Sequence, residues 1–416
     1  MRLLMISDHA DPLADVGAKE VGGQNIYVLY LAKFLTRMGL FVDVYTRWDR
    51  KNKKEVVEVN SRFRVIRVKA GPKGYMPRDN FLNVTAEFSD NVLKRLKRDG
   101  TEYDLIHTNY WFSGVIGLAL SKKLRLPQVH VYHSLGQIRF ETLNRYKQQS
   151  ADSDFFRKRT AAEKQIAKEV AGIISTSPVE KQIIKNLFGI SGDKIEMIPI
   201  GVDTEIFHPA KSAGIRRQMN LSEKTKLLLY VGRLEWRKGI GTLLYAFAKV
   251  LERFPDSRLL VVGGGTTKAA RKLEEAERER LAGIASQLKI EDKVKFVGSI
   301  KQKRLYRYYN AADVCVVPSY YEPFGIVPLE AMACGTPVVA SRTGGLKYTV
   351  LDGRTGYLAT PRNFGELAEK IGKVLARGKE RYSPDCLARI SEQFCWTQTS
   401  KLYPPYFQKL IDEIRK

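Results

Sequence analysis

Cysteine is scarce in this sequence, with 4 residues among 416, and that scarcity sets a first boundary. Cys315, Cys334, Cys386 and Cys395 show neither zinc-ligand spacing nor a paired redox motif, so reduced structural thiols are expected and a disulfide scaffold is excluded. No apolar run is long enough to span a bilayer, and the opening stretch Met1 to Ile6 breaks at Ser7-Asp8, too soon for a signal peptide. A cytoplasmic protein is expected. No metal-ligand cluster is visible. Neither glycine-rich loop reads G-x-G-x-x-G with a later acidic residue, which speaks against a nicotinamide enzyme. Acidic residues are also short, 45 against 70 lysines and arginines, so the net charge is 70 − 45 = +25.

Such an excess points to anionic partners. Nucleic acid ranks low, because there is no basic tail and no RNP-type or helix-turn-helix signature. Arg95-Leu-Lys-Arg98 and Arg157-Lys-Arg159 could touch acidic lipid, although charge runs are more often solvated faces. Phosphorylated small molecules would also favour a positive cleft. An apolar content of 44% with 28% charged residues is that of a soluble globular chain, and the length suits two domains.

Along the chain, Arg2 to Ser7 reads as a buried strand, and a loop with Gly22-Gly23-Gln24 leads into a helix. Ile26, Tyr30, Phe34 and Met38 recur every four residues in that helix until Gly39 ends it. Phe41 to Thr46, an alternating Phe63 to Val68, Asp104 to His107 and Pro127 to His133 supply further strands separated by helical patterns. A parallel sheet with crossover helices follows, with Gly23, Asn109 and His133 at carboxyl ends of strands, where ligands gather. Phe140 to Val170 reads as mostly helical, Gly172 to Thr176 as a strand, and Ser177-Pro178-Val179-Glu180 as a capping box with proline at the first helical position.

After Ile195 to Ile200 the chain is expected to cross into a second domain. There Leu227 to Val231, Leu259 to Val262 and Val294 to Gly298 begin a fresh strand series. Gly263-Gly264-Gly265 is a weak phosphate signal by itself and reads as a flexible connection. Asn363 to Arg377 and Leu402 to Ile414 read as helices. The expected domains are residues 1–198 with a tail 396–416, and residues 199–395. Each half is Rossmann-like and doubly wound, and the two halves imply a cleft between facing strand ends.

The densest chemistry lies in Pro318 to Thr349. Val314 to Pro318 is an apolar strand and Phe324 to Ala333 a helix closed by Gly335, which puts Glu322 on the connecting loop and Glu330 inside the helix. Free N–H groups at a helix start, here Phe324, Gly325 and Ile326, offer a seat for a diphosphate. Glu322 is placed to hold sugar hydroxyls and Glu330 a ribose diol. Glu322-Pro-Phe-Gly-Ile-Val-Pro-Leu-Glu330 resembles the E-x7-E element of the retaining family-4 glycosyltransferases, and the resemblance runs over almost the whole chain. It implies the GT-B fold, two Rossmann-like α/β domains facing across a cleft, with the last helix returning to the first domain from Trp396 onwards.

Arg233 and Lys238, five apart on one loop, suit the stabilisation of a departing diphosphate, because fixed cations aimed at developing charge lower a barrier without reorganisation. They match the family's diphosphate-binding pair, and the resemblance implies that no metal or other cofactor is needed. Gly22-Gly23 permits close approach of backbone to ligand, and the family places Gly23 and Gln24 beside donor phosphate and acceptor. His133, in His-Ser-Leu-Gly136, matches the family's histidine that contacts the transferred sugar. Uracil would be read by backbone from Gly298 to Ile300. With no opposed carboxylate nucleophile evident, the resemblance implies front-face substitution with retained configuration.

Gly22-Gly-Gln-Asn-Ile-Tyr-Val28, Ala70-Gly-Pro72 with Pro77-Arg-Asp-Asn80, His107-Thr-Asn-Tyr-Trp111 and Tyr132-His-Ser-Leu-Gly136 are similar to short sucrose-phosphate synthases of cyanobacterial type. These transfer glucose from UDP-glucose to fructose 6-phosphate. Lys73, Arg78, Tyr110, Ser134 and Arg159 match positions that bind acceptor phosphate in this family and in related inositol-phosphate transferases, and the residues leave open how Lys73 and Arg78 share the role. Gln24 stands where the inositol-phosphate enzymes usually have methionine. Remaining alternatives are N-acetylglucosaminyl or other hexosyl transfer to inositol 3-phosphate, a sucrose synthase, a peripheral membrane hexosyltransferase acting on phospholipid, and a silent sugar-nucleotide binding module. The loop Gly345-Leu-Lys-Tyr-Thr349 matches the family's donor-side loop only loosely. No phosphatase-like domain follows, so the product should keep its phosphate.

Overall fold

The computed structural model describes residues 1–14, 22–74, 76–145, 153–211, 213–218, 221–222, 224–265 and 268–415, without the side chains of residues 78–79, 153, 213 and 268–273. The chain divides into two compact units, and each is built on its own sheet.

The first unit runs from Gly23 to Pro199 together with the opening residues and Thr399–Lys416. Its strands are β1 Arg2–Ile6, β2 Phe41–Arg47, β3 Val56–Asn60, β4 Phe63–Val68, β5 Leu105–Asn109, β6 Gln128–Val131, β7 Gly172–Ser175 and β8 Ile195–Met197, in the order β3-β4-β2-β1-β5-β6-β7-β8. All neighbours are parallel except β3, which runs antiparallel on β4. The inner strands are apolar on both faces because helices cover both sides, as with the fully buried Leu3 to Ile6. The alternation expected of β4 does not appear in its burial, since Arg67 is itself buried, paired with Asp11 at 3.0 Å. β3 has no counterpart among the expected strands. It is an edge element, exposed from Glu58 to Asn60, and lacks the apolar pattern that marks an inner strand.

Helix boundaries follow local chemistry. The helix Pro178–Phe188 is capped by Ser177, whose Oγ accepts the Glu180 N–H. The Glu180 carboxylate reaches back one residue further than a capping box requires, accepting from the N–H and Oγ of Thr176 at 2.7 and 2.6 Å. The last helix, Tyr403–Arg415, docks on the first unit through the hydroxyls of Tyr403 and Tyr27, 3.0 Å apart, and through Phe407 against His107. Trp396, expected in that tail, stays with the second unit, where its N–H donates to the Val202 carbonyl at 3.2 Å.

The second unit, Ile200–Gln398, carries β9 Leu227–Val231, β10 Arg258–Val262, β11 Val294–Gly298, β12 Val314–Val317, β13 Val338–Ser341 and β14 Gly356–Ala359. All are parallel, in the order β11-β10-β9-β12-β13-β14. In each sheet the order reverses beside the first strand of its series, between β1 and β5 and between β9 and β12. Open parallel sheets bind ligands beyond the carboxyl ends at such points. No helix among the described residues is long and apolar enough to cross a membrane.

Candidate active site

In the second unit the two loops at the reversal point are locked together by glycine. A Cβ on Gly239 (φ +72°) would lie 2.0 Å from the Pro318 carbonyl oxygen, and the Tyr320 N–H donates to the Arg237 carbonyl at 2.8 Å. On the far side, a Cβ on Gly344 (φ +47°) would meet the Glu322 carbonyl oxygen at 2.0 Å, while the Gly345 N–H donates to that same oxygen at 3.0 Å. No side chain fits between these backbones, so the segment from Pro318 to Phe324 is fixed from both sides. The loop Gly345 to Thr349, a loose match in sequence, thus holds Glu322 through its first N–H.

That clamp sets the central contact. The Lys238 ammonium donates to Glu322 Oε2 at 2.5 Å, and the Ser319 hydroxyl donates to the same oxygen at 3.3 Å. Burial works against the Glu322 charge, but the Lys238 ammonium and the Arg237 guanidinium outweigh it and hold the carboxyl below its usual range. Burial pulls Lys238 below its usual value, with Glu322 opposing and Arg237 adding to the shift. Arg233 is more open, its guanidinium 2.6 Å from Glu235, and Glu235 also takes Arg237 at 2.8 Å. Three cations and two carboxylates thus share one end of the sheet, leaving a net positive charge for a diphosphate. Arg237 and Glu235 were not singled out in the sequence, although both lie inside the loop that carries Arg233 and Lys238.

The helix expected from Phe324 starts at Ile326, with Gly325 (φ +98°) as its N-cap and no side-chain cap, so its first N–H groups have no side-chain acceptor. Phe324 itself is buried and packs edge-on against Phe394, ring centroids 6.1 Å apart. Glu330 lies within this helix, 3% exposed, and accepts from the Tyr309 hydroxyl at 2.7 Å and from Gln302 at 3.2 Å. Burial pushes its pKa up to about 7, against both hydrogen bonds. The Gly298 carbonyl is taken by the Gly263 N–H at 2.9 Å, while Ile300 is half-buried. Gly263 is no flexible connection, since a Cβ on it would lie 1.7 Å from the Gly232 carbonyl oxygen.

The first unit assembles a second group of the expected residues around its own reversal point. Gln24, in the first turn of the helix Gly23–Arg37, donates through Nε2 to Ser7 Oγ and to the Asn109 carbonyl, both at 3.2 Å, bridging the residue after β1 and the last residue of β5. The Asn109 amide donates to the Ile6 carbonyl at 3.1 Å, which turns its oxygen toward His133 Nε2 at 3.0 Å. Burial and the neighbouring His107 and His9 push the His133 pKa down to about 3, so the ring is neutral. With Nε2–H spent on Asn109, Nδ1 is the acceptor it can offer to a hydroxyl.

Arg159 is wholly buried. Its Nε donates to Glu163 at 2.7 Å, Nη1 to the Tyr110 hydroxyl at 3.0 Å, and Nη2 to the Ser134 carbonyl and hydroxyl at 2.6 and 3.0 Å. Glu163 also accepts the Gly136 N–H, and burial lifts its carboxyl above the usual range against the pull of Arg159. Arg159 and Tyr110, expected on acceptor phosphate, are thus buried and joined to half-buried Ser134, which was expected there too. An arginine with a glutamate four residues on along one helix finds an ion-pair partner within that helix. Tyr110 pays for its place with backbone at φ 75°, ψ 158°, a region otherwise left to glycine, held by its N–H to the Val131 carbonyl at 2.9 Å. Lys73 is exposed and its ammonium sits 3.4 Å from the centroid of the Trp48 ring. The side chain of Arg78 lies outside the described residues.

Sequence and structural comparisons agree with this partition. A family described as "Glycosyltransferase Family 4" matches residues 21–206, and one described as "Glycosyl transferases group 1" matches residues 212–385. The chain is 35% identical over 412 residues to a D-inositol 3-phosphate glycosyltransferase of Corynebacterium jeikeium, covering 97% of this chain and 96% of the relative. It is 34% identical to the protein of the same name in Acidothermus cellulolyticus, covering 91% and 83%. Among solved structures, a sucrose-phosphate synthase from Thermosynechococcus elongatus superposes with a TM-score of 0.89 at 36% identity, covering 99% of this chain and all of that one, 100%.

Proposed function

Since the chain belongs to the group 1 glycosyltransferases of GT-B fold, with a family 4 N-terminal region, we propose that it moves glucose from UDP-glucose to fructose 6-phosphate. The products are sucrose 6-phosphate and UDP, with the anomeric configuration retained. The observation that carries the transfer chemistry is the Lys238–Glu322 contact of 2.5 Å, a cation and a carboxylate clamped by backbone at the point where a parallel sheet presents ligands. Lys238 and Arg233 take the charge that develops as the bond from the sugar C1 to phosphate breaks. Glu322 orients the hexose hydroxyls and Glu330 the ribose. The acceptor hydroxyl attacks C1 on the face the phosphate leaves, and its proton passes to a leaving phosphate oxygen. Gly325 and Ile326 supply backbone donors for the diphosphate, and His133 accepts from a hexose hydroxyl.

Fructose 6-phosphate as acceptor is supported by the 36% identity to the sucrose-phosphate synthase over nearly the full chain and by Gln24 at the first turn of its helix. Ser134, backed by Arg159, is the group assigned to the acceptor phosphate, with Lys73 and Arg78 as the outer cations. The reading assigns no step to a metal, and UDP release should survive chelation of divalent ions within about twofold. A second reading, hexosyl transfer to inositol 3-phosphate, is supported by the names of the relatives, which match this chain at similar identity.

One assay separates the two. UDP release is measured with UDP-glucose or UDP-N-acetylglucosamine against fructose 6-phosphate, fructose, inositol 3-phosphate and phospholipid vesicles. A preference for UDP-glucose with fructose 6-phosphate is expected. A preference for inositol 3-phosphate replaces the first reading with the second, and equal rates on fructose and its phosphate remove the role given to Ser134. Glu322→Gln should cut turnover at least tenfold, and a near-normal rate would count against its placement on the hexose.

A further inference from the structure

The second unit contains a pocket of about 760 Å³ that no step above uses. Arg216, Asn310, Asp313, Cys334, Lys379 and Ser383 are among its walls. Asp313 directly precedes β12, and its carboxylate accepts the N–H of Leu227, the first residue of β9, at 2.7 Å. The pocket therefore lies at the amino ends of the strands whose carboxyl ends carry the Lys238 and Glu322 loops. Strands of four to five residues, at about 3.3 Å per residue, set these two ends roughly 15 Å apart.

Its charge is unbalanced in one respect. The Lys379 ammonium donates to the carbonyls of Asn310 at 3.0 Å and Ala312 at 3.3 Å, and among the described residues it has no carboxylate in ion-pair contact. Two of its three donors are thereby used. Asp313 is engaged elsewhere, by Leu227, by Arg216 at 3.5 Å and by Lys226 at 3.8 Å, while Glu380 is exposed. Burial lowers the Lys379 pKa, with Cys334, Asp313 and Glu380 opposing the shift. Ser383 and Asn310 add polar groups, and Arg217 is exposed at the lining. A volume within the usual range of small-molecule pockets suits an organic anion better than a bare ion.

The same walls belong to the helices that hold Glu330. Asn310 follows Tyr309, the donor to Glu330, and Cys334 caps the carboxyl end of the helix that carries Glu330. The Thr336 hydroxyl donates to the Tyr309 carbonyl at 2.6 Å, and the Ser383 hydroxyl to the Gly335 carbonyl at 2.5 Å, so both helix ends meet at the pocket. We propose that this pocket binds a small phosphomonoester, and that filling it tightens nucleotide binding by fixing the ends of the helices Gln302–Ala311 and Ile326–Ala333. The tightening rests on Glu330 as the ribose-holding residue, whereas binding to the pocket does not.

The test is calorimetric titration of UDP into the full chain with and without inorganic phosphate or glycerol 3-phosphate. Wild type, Lys379→Met, Arg217→Glu and Ser134→Val are compared. Either probe should raise UDP affinity fivefold or more in wild type and Ser134→Val, with less than a twofold change in Lys379→Met and Arg217→Glu. Wild type, Lys379→Met and Arg217→Glu should bind UDP alike when no probe is present. Competition at Arg233 and Lys238 would instead weaken UDP in every variant. The proposal is overturned if wild type shows no tightening, or if Lys379→Met and Arg217→Glu tighten as much as wild type. If UDP does not bind at all, it is the donor assignment that fails. Direct titration of glycerol 3-phosphate then reads the pocket, with binding lost in Lys379→Met required and equal binding fatal to it.

Discussion

The two ion pairs of the candidate site are built to opposite plans. Arg159 and Glu163 sit one turn apart on a single helix, wholly buried, and Arg159 also donates to Tyr110 and Ser134 of the same unit. Lys238 and Glu322 come from separate loops of the second unit, remain 17% and 16% exposed, and are brought to 2.5 Å only because glycines let the backbones touch. The first arrangement is a scaffold whose charge is cancelled where it stands. The second keeps its charges within reach of a ligand, so its geometry can be spent on chemistry.

The sharpest way to break this contrast is to remove one cation from each pair. Arg159→Met leaves Glu163 buried without a counter-charge and should cost about 3–5 kcal/mol in urea unfolding. A loss under about 1 kcal/mol would mean that the buried pair is not the scaffold described. Lys238→Met should do the reverse, lowering kcat by about 10²–10³-fold with unfolding free energy changed far less. If stability fell and kcat held, the two pairs would have to exchange roles.

Glu330 supplies a third case, a buried carboxylate with no ion pair among the described residues. Its folded pKa of about 7 lies above the ordinary carboxylate value, so the native state holds the proton more tightly than the unfolded chain does. That contribution is complete below pH 4.5 or so and is lost as pH rises through about 7. Glu330→Gln should therefore gain on wild type across that window, by roughly 2–3 kcal/mol, while binding UDP more weakly. Parallel stability curves for the two proteins would contradict the assignment. The smallest effect should come from Tyr309→Phe, which deletes one hydrogen bond to that carboxylate. It should cost about 1 kcal/mol of stability and raise the donor KM several-fold with kcat nearly unchanged.

Much of this was legible in the sequence because parallel sheets announce themselves. The runs Leu227 to Val231 and Val314 to Val317 are apolar at every position, and a strand buried on both faces cannot look otherwise. Glu322 and Glu330 could be placed because loop and helix follow such a strand in fixed order. The edge strand β3 left no such trace, since half of its surface faces water. Partner choice was also illegible. That Arg159 would turn to Glu163, or that Arg237 would share Glu235 with Arg233, depends on which side chains the packing leaves closest, and spacing along the chain carries that only weakly. The Lys379 pocket was missed for the same reason, its walls being drawn from segments as distant in sequence as Asn310 and Ser383.

Tyr110 carries one last consequence. Its backbone is bent into glycine territory and its hydroxyl is tied to Arg159. On the proposed reading, the face of the first unit assigned to the acceptor is preorganised, with its ordering entropy settled during folding instead of on each encounter, and ligands that fit it should bind without a slow rearrangement phase.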